Sequence, residues 1–80
     1  MTRQLKPENV LVGARLRKYR HRAKLTQGEV AQALACAESN VAALESGSRG
    51  VSIERLFKLA DLFGVEPNKL IPTNAEREQK

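Results

Sequence analysis

The sequence predicts an all-α protein of five helices, and three observations predict it. Apolar residues recur at intervals of three and four along most of the chain, the spacing of a helix face turned to a core. Residues that start helices (Pro7, Thr26, Ser52) and residues that end them (Gly47, Gly64, Pro72) stand at the borders of those stretches. The chain has 80 residues and a hydrophobic fraction of 41%, which suits one small domain near the lower limit of what a single core holds together.

Taken in order, residues 1–8 read as a flexible basic arm, either tracking a groove or phosphates or having no role. Its last two residues already carry a helix start. Pro7 fits a first turn, where no partner is needed for its missing N–H, and Glu8 favours the positive end of the helix dipole. Helix 1 is expected to run to about Ala23, with Val12, Leu16, Tyr19 and Ala23 as its core stripe. Arg15, Lys18 and Arg22 fall largely off that stripe, toward solvent or phosphate, while Val10 and Leu11 either extend the core or meet another subunit.

Thr26 and Glu29 have the spacing of a capping box, in which the hydroxyl takes the N–H of residue 29 and the carboxylate reaches back to the cap. Helix 2, residues 27–34, then turns Val30, Ala31 and Leu34 inward, Ala31 being small enough for a close helix crossing. Ala35-Cys36-Ala37 allows only a sharp corner before helix 3, residues 38–46, whose Val41 and Leu44 face the core. A second helix held steeply by the first, with polar Glu38, Ser39 and Asn40 at its outward end, has the geometry of a helix-turn-helix.

Gly47 ends helix 3 as a left-handed cap, and Ser48-Arg49-Gly50 makes a loop. Ser52 caps helix 4, with Ile53, Leu56, Phe57, Ala60 and Phe63 as its apolar stripe up to Gly64. A short helix 5 runs from Pro67 to Leu70, with Val65 and Leu70 packing back, and Pro72 stops it. Residues 9–71 thus form one domain with no internal repeat, and residues 72–80 a polar tail. With so few aromatic residues, Tyr19, Phe57 and Phe63 are expected at the centre of the packing.

The net charge is +5, and its placement points to a partner. Arg3, Lys6, Arg15, Arg17, Lys18, Arg20, Arg22 and Lys24 crowd the first 24 residues, opposed there only by Glu8. Such a cluster either keeps a helix face solvated or attracts a polyanion through counterion release; beside a helix-turn-helix pattern the second reading prevails. The single cysteine, Cys36, excludes an internal disulfide and suits a reducing compartment; it reads as a small buried hydrophobe rather than a redox switch. His21 is the only histidine and has no partners at metal-ligand spacing. With one Cys, one His and no phosphate-binding glycine loop, the chain offers no constellation for catalysis, so neither an enzyme nor a cofactor is expected. No apolar run spans a bilayer and no signal-peptide core is present, so a soluble cytoplasmic protein without membrane contact is expected.

Gly13-x-Arg15-Leu16-Arg17, Leu25-Thr26-Gln27, Leu44-Glu45-Ser46-Gly47, Ser52-Ile53-x-x-Leu56 and Leu62-Phe63-Gly64-Val65 stand in register over roughly residues 9 to 71. In these the chain resembles the XRE family, the Cro/cI-type (lambda-repressor-like) helix-turn-helix domain of bacterial and phage regulators. The resemblance implies a five-helix lambda-repressor-like fold. It also implies sequence-specific binding of double-stranded DNA by a homodimer on a palindromic operator, repressing transcription. Base contacts would come from Glu38, Ser39, Asn40 and Ala43: Asn40 suits adenine, Glu38 the amino group of cytosine, Ala43 a thymine methyl. Phosphate contacts would come from Gln27, Arg49, Arg20, Lys24, Ser46 and Ser48. Arg20 would also form a partly buried ion pair with Glu45, tying helix 1 to helix 3; that structural role is favoured over a direct aim at DNA. Helix 5 and the tail would form the dimer surface.

The chain departs from the family at the corner. Ala35 stands where glycine is usual and Ala37 where a serine-type cap is usual, each departure costing about 1 kcal/mol. Glu38 stands where glutamine is commoner, as a specificity filter, a penalty on affinity, or a dipole partner for its own helix. Helix 3 has no lysine or arginine, so flanking cations must supply the affinity. These departures keep open a protein-interaction module of the same fold, such as an antitoxin that binds a toxin, and a restriction-modification controller. Control by the protein's own concentration, a partner or proteolysis is expected, since no ligand-sensing module accompanies the domain.

Overall fold

The computed structural model describes residues 6–72, and these form four α-helices and one short 3-10 turn. The helices are α1 (Pro7–Arg22), α2 (Gln27–Leu34), α3 (Glu38–Ser46) and α4 (Ile53–Phe63), followed by a 3-10 turn at Pro67–Leu70. Residues 1–5 of the expected arm and 73–80 of the expected tail lie outside the described residues. Residues 7 and 8 of that arm belong to α1.

The fifth helix is therefore corrected to a single 3-10 turn. Pro67 opens it, and Ile71 precedes Pro72, whose ring pushes the residue before it toward extended backbone. Ile71 is indeed extended, with φ −104° and ψ 131°. Four residues between those two constraints cannot complete an α-helical ladder.

One core holds the elements together. It consists of Leu16 from α1; Val30, Ala31 and Leu34 from α2; Val41 and Leu44 from α3; Leu56, Leu59 and Ala60 from α4; and Leu70 from the 3-10 turn. Val12, Tyr19, Cys36 and Phe63 are half-buried against it. The expected stripe of α4 is rotated. Leu59 lies at its centre, while Ile53 and Phe57 are 71% and 55% exposed. Phe57 is thus a surface residue rather than a central one. The helix is apolar at 53, 56, 57, 59, 60, 62 and 63, more than half of its circumference, so spacing alone does not choose the buried side.

All four helices end in the same way. The chain turns left-handed at Lys24, Ala35, Gly47 and Gly64, with φ of 61°, 56°, 85° and 72°. In each case that residue's N–H and the next residue's N–H return to two carbonyls of the last turn, as from Lys24 to His21 and from Leu25 to Arg20. Leu25, Cys36 and Val65 follow the left-handed residue and pack on the core, which is the place Cys36 takes. Ala35 adopts the strained conformation outright, and Ala37 begins α3 without a side-chain hydrogen bond.

Two close backbone approaches set α3 against α1. A Cβ on Gly13 would overlap the carbonyl oxygens of Leu44 and Glu45, and one on Gly47 would lie 2.7 Å from the Cα of Val10. At Gly13 the two helices therefore touch backbone to backbone, and at Gly47 the chain lies directly on Val10.

Candidate nucleic-acid interface

The orientation of α3 follows from what it buries. Val41, Leu44 and Gly47 face the core, so the opposite side presents Ser39, Ala42, Ala43 and Ser46, which share one face at helical spacing. Ser39 and Ser46 are exposed, and Ala42 and Ala43 are half-covered at the same surface. Glu38 is exposed at the start of the helix, and Asn40 is half-buried on its flank. Ala42 was not singled out from sequence, although its position three residues after Ser39 marks it for the same row.

Beside this row, α1, α2 and α3 enclose a shallow depression lined by Arg17, Arg20, Gln27, Ala42, Glu45 and Ser46. Its floor is a buried cluster around one carboxylate. Arg20 donates from Nε to Glu45 Oε2 at 2.5 Å and from Nη2 to Oε1 at 3.2 Å, and its Nη1 donates to the Leu25 carbonyl at 2.9 Å. The Gln27 amide nitrogen donates to the same Glu45 Oε1 at 3.0 Å. The Arg20 and Glu45 side chains are only 10% and 7% exposed. Arg20 thus directs three of its five N–H groups to partners within the protein, which joins the C-terminal end of α1 to α3. Gln27 at the first turn of α2 is held by the carboxylate and lines the depression.

The other expected phosphate ligands divide. Arg49 is exposed and has no partner among the described residues. Its loop rests on the start of α1, where the Asn9 side chain lies 3.2 Å from the Cβ position of Gly50. Lys24 is exposed at the corner between α1 and α2. Ser46 and Ser48, in contrast, turn their hydroxyls to the Ala43 carbonyl at 3.1 and 3.3 Å, capping the C-terminal end of α3.

The sequence cluster of cations does not form one patch. Arg15 donates to the Lys69 carbonyl at 2.9 Å, and Lys18 and Arg22 each lie 5.6 Å from the Tyr19 ring centroid, a cation–π distance. Arg17 remains exposed on the side of α3, and sequence reading gave it no site role. Arg17 and Gln27 become neighbours only when α1 and α2 fold together. Among the described residues, no group of three or more His, Cys, Asp or Glu could hold a metal, and no helix is long and apolar enough to cross a membrane.

This corner of two helices is matched by the family model described as a helix-turn-helix domain, over residues 11–70. The chain belongs to that family. Its helix-turn-helix relatives include the restriction-modification controller protein C.AhdI from Aeromonas hydrophila, which is 35% identical with a TM-score of 0.71. That match covers 78% of this chain and 94% of the controller. The DNA-binding domain of BldD is 30% identical with a TM-score of 0.73, covering 86% of this chain and all (100%) of the domain. These are XRE-like helix-turn-helix regulators, the family that the sequence motifs resemble. The same fold also occurs within hydroxypropylphosphonic acid epoxidase from S. wedmorenis, at 25% identity and a TM-score of 0.77. There the match covers 84% of this chain and only 36% of the enzyme. No curated protein sequence matches the chain.

Proposed function

We propose that the protein regulates transcription by sequence-specific binding of double-stranded DNA, as a homodimer that represses from a palindromic operator. The observation that carries this reading is the outward row of α3, with exposed Ser39 and Ser46 and half-covered Ala42 and Ala43 on a helix clamped from behind by α1. In this reading the row enters the major groove. Ser39 and Asn40 meet base edges, Asn40 by two hydrogen bonds to an adenine, and Ala42 and Ala43 offer methyl contacts to thymine. Arg17, Lys24 and Arg49 neutralise phosphates on either side, and Gln27 clamps one at the first turn of α2. Arg20 and Glu45 act from behind, holding Gln27 and the start of the corner in place.

Pairing of two copies is supported by Ile53 and Phe57. They lie one turn apart on α4 and are exposed to a degree unusual for large apolar side chains. One domain of this size reads few base pairs, and a two-fold partner doubles them. The similarity to C.AhdI favours a narrower version of the same reading, a restriction-modification controller. The protein acts in the cytoplasm, without catalysis and without a cofactor.

Selection of bound sequences from random duplex DNA by the purified protein tests the proposal. The expected product is a two-fold symmetric site with half-site centres about 10 base pairs apart. Asn40→Ala should erase the preference at one base pair in each half-site and leave affinity for random duplex nearly unchanged. Recovery of no enriched sequence would refute the reading.

A further inference from the structure

One side of α1 faces away from α3. Leu11, Arg15, Lys18 and Arg22 recur there at the spacing of a single helix face, half a turn from Gly13 and Arg20, which meet α3. Three of the five lysine and arginine residues of α1 therefore lie where a duplex seated on α3 does not reach. Two hollows open along this side and share Tyr19 as a wall. The first, of about 270 Å³, lies against Leu11, Ala14 and Lys18. The second, of about 240 Å³, lies between α1 and the end of α4, against Arg22, Phe63 and Val65. No carboxylate lines either one. Lys18 and Arg22 rest on the Tyr19 ring, each 5.6 Å from its centroid, and neither forms an ion pair among the described residues. Arg15 is tied to the Lys69 carbonyl and keeps its charge on the same face. The face thus joins apolar hollows to positive charge that no carboxylate of the described residues balances.

We propose that this face docks an acidic amphipathic segment of a partner protein, with apolar side chains seated in the two hollows and carboxylates on Lys18 and Arg22. The chemistry selects this occupant over two others. A duplex offers phosphates to the cations but nothing apolar to fill the hollows beside Leu11 and Phe63. A second copy in two-fold contact would bring the same cations against themselves. A segment with leucine or phenylalanine on one side and glutamate or aspartate on the other satisfies both features at once. From Leu11 to Arg22 the face runs about 16 Å, the length of roughly three helical turns. The proposal goes beyond DNA binding and is compatible with it, since a partner seated here leaves α3 uncovered.

Tyr19 is the only tyrosine and the chain has no tryptophan, so intrinsic emission reports on this face. The probe is a short synthetic helix with leucine and phenylalanine on one side and glutamate on the other, free of tyrosine and tryptophan. Its control has the same composition in scrambled order. The amphipathic peptide should change Tyr19 emission to saturation and shift the amide resonances of Lys18, Ala23 and Val65, leaving those of Ser39 and Ala42 in place. Lys18→Gln/Arg22→Gln, both exposed positions, should keep the parent melting temperature and bind the peptide about three- to tenfold more weakly, two exposed ion pairs being lost. Its affinity for duplex DNA and the salt dependence of that affinity should match the parent. No saturation at millimolar peptide, equal binding of the scrambled control, or an unchanged peptide affinity in the double variant would overturn the proposal. Shifts centred on α3 would also overturn it, by making the peptide a competitor for the DNA surface. So would a fall of about two units in the salt slope for duplex in the double variant, which would assign the face to phosphates.

Discussion

Replacing Arg20 by methionine keeps an unbranched apolar stem and removes the charge that Glu45 faces. In the parent, Glu45 receives two N–H groups from Arg20 and one from Gln27, and its side chain is 7% exposed. The variant leaves a desolvated carboxylate with the Gln27 amide alone, and also takes a donor from the Leu25 carbonyl. Stranding one member of a buried pair costs on the order of 3–5 kcal/mol. The surviving bond from Gln27 to a charged acceptor offsets part of that, so about 3 kcal/mol is expected. For a domain of this size that loss lowers the melting temperature by roughly 12–24 °C. Arg20→Met/Glu45→Met removes both charges and should recover most of the loss, giving a coupling of about 2 kcal/mol in a double-mutant cycle measured by urea denaturation. Because the pair is screened little by solvent ions, the cost should persist at high salt. A loss below about 1 kcal/mol for Arg20→Met, or a coupling near zero, would show that the pair behaves as a surface contact and would refute the reasoning.

Three further outcomes are expected. Ala35→Gly should raise stability by about 1 kcal/mol, seen as a higher melting temperature, because glycine adopts φ 56° without the Cβ clash that alanine tolerates. Arg49→Ala should weaken binding to selected and random duplexes alike and reduce the slope of log affinity against log salt by about one unit; a loss confined to the selected site would contradict a phosphate role. Phe57→Lys should leave the melting temperature of the monomer nearly unchanged, since Phe57 is 55% exposed, and should shift sedimentation of the free protein toward the monomer. Unaltered association would place the subunit contact elsewhere.

Element borders were legible because the signals that make them are local. Thr26 with Glu29, Gly47, Ser52 and Gly64 act within one turn of themselves; α2 begins, α3 ends, and α4 both begins and ends where those residues stand. What depended on a distant neighbour was not legible. The rotation of α4 needed α1 and α2 to choose among seven apolar positions, and so Leu59 was missed and Phe57 misplaced. The fifth helix was over-read because Pro67 is also a good first residue for a full α-helix; the opposing effect of Pro72 comes only four residues after the expected first turn. At the site, the polar residues at the start of α3 and Ala43 one turn on marked its outward side, while Ala42 on the same face was not singled out. The dispersal of the α1 cations among Lys69, Tyr19 and Glu45 comes from tertiary contacts that no spacing encodes.

The bare crossing of α1 and α3 at Gly13 and Gly47 has a consequence for how such a protein changes over generations. Peptide against peptide at Gly13 has no rotamers to readjust, so the tilt of α3 is inherited from the element beneath it and is insensitive to what its outer side carries. In the proposed role, new binding sites would be acquired by exchanging Ser39, Ala42 or Ala43 one at a time, each exchange judged against an unmoved frame. The frame itself is the part that drift cannot touch: a single methyl at either glycine would tilt every downstream contact together.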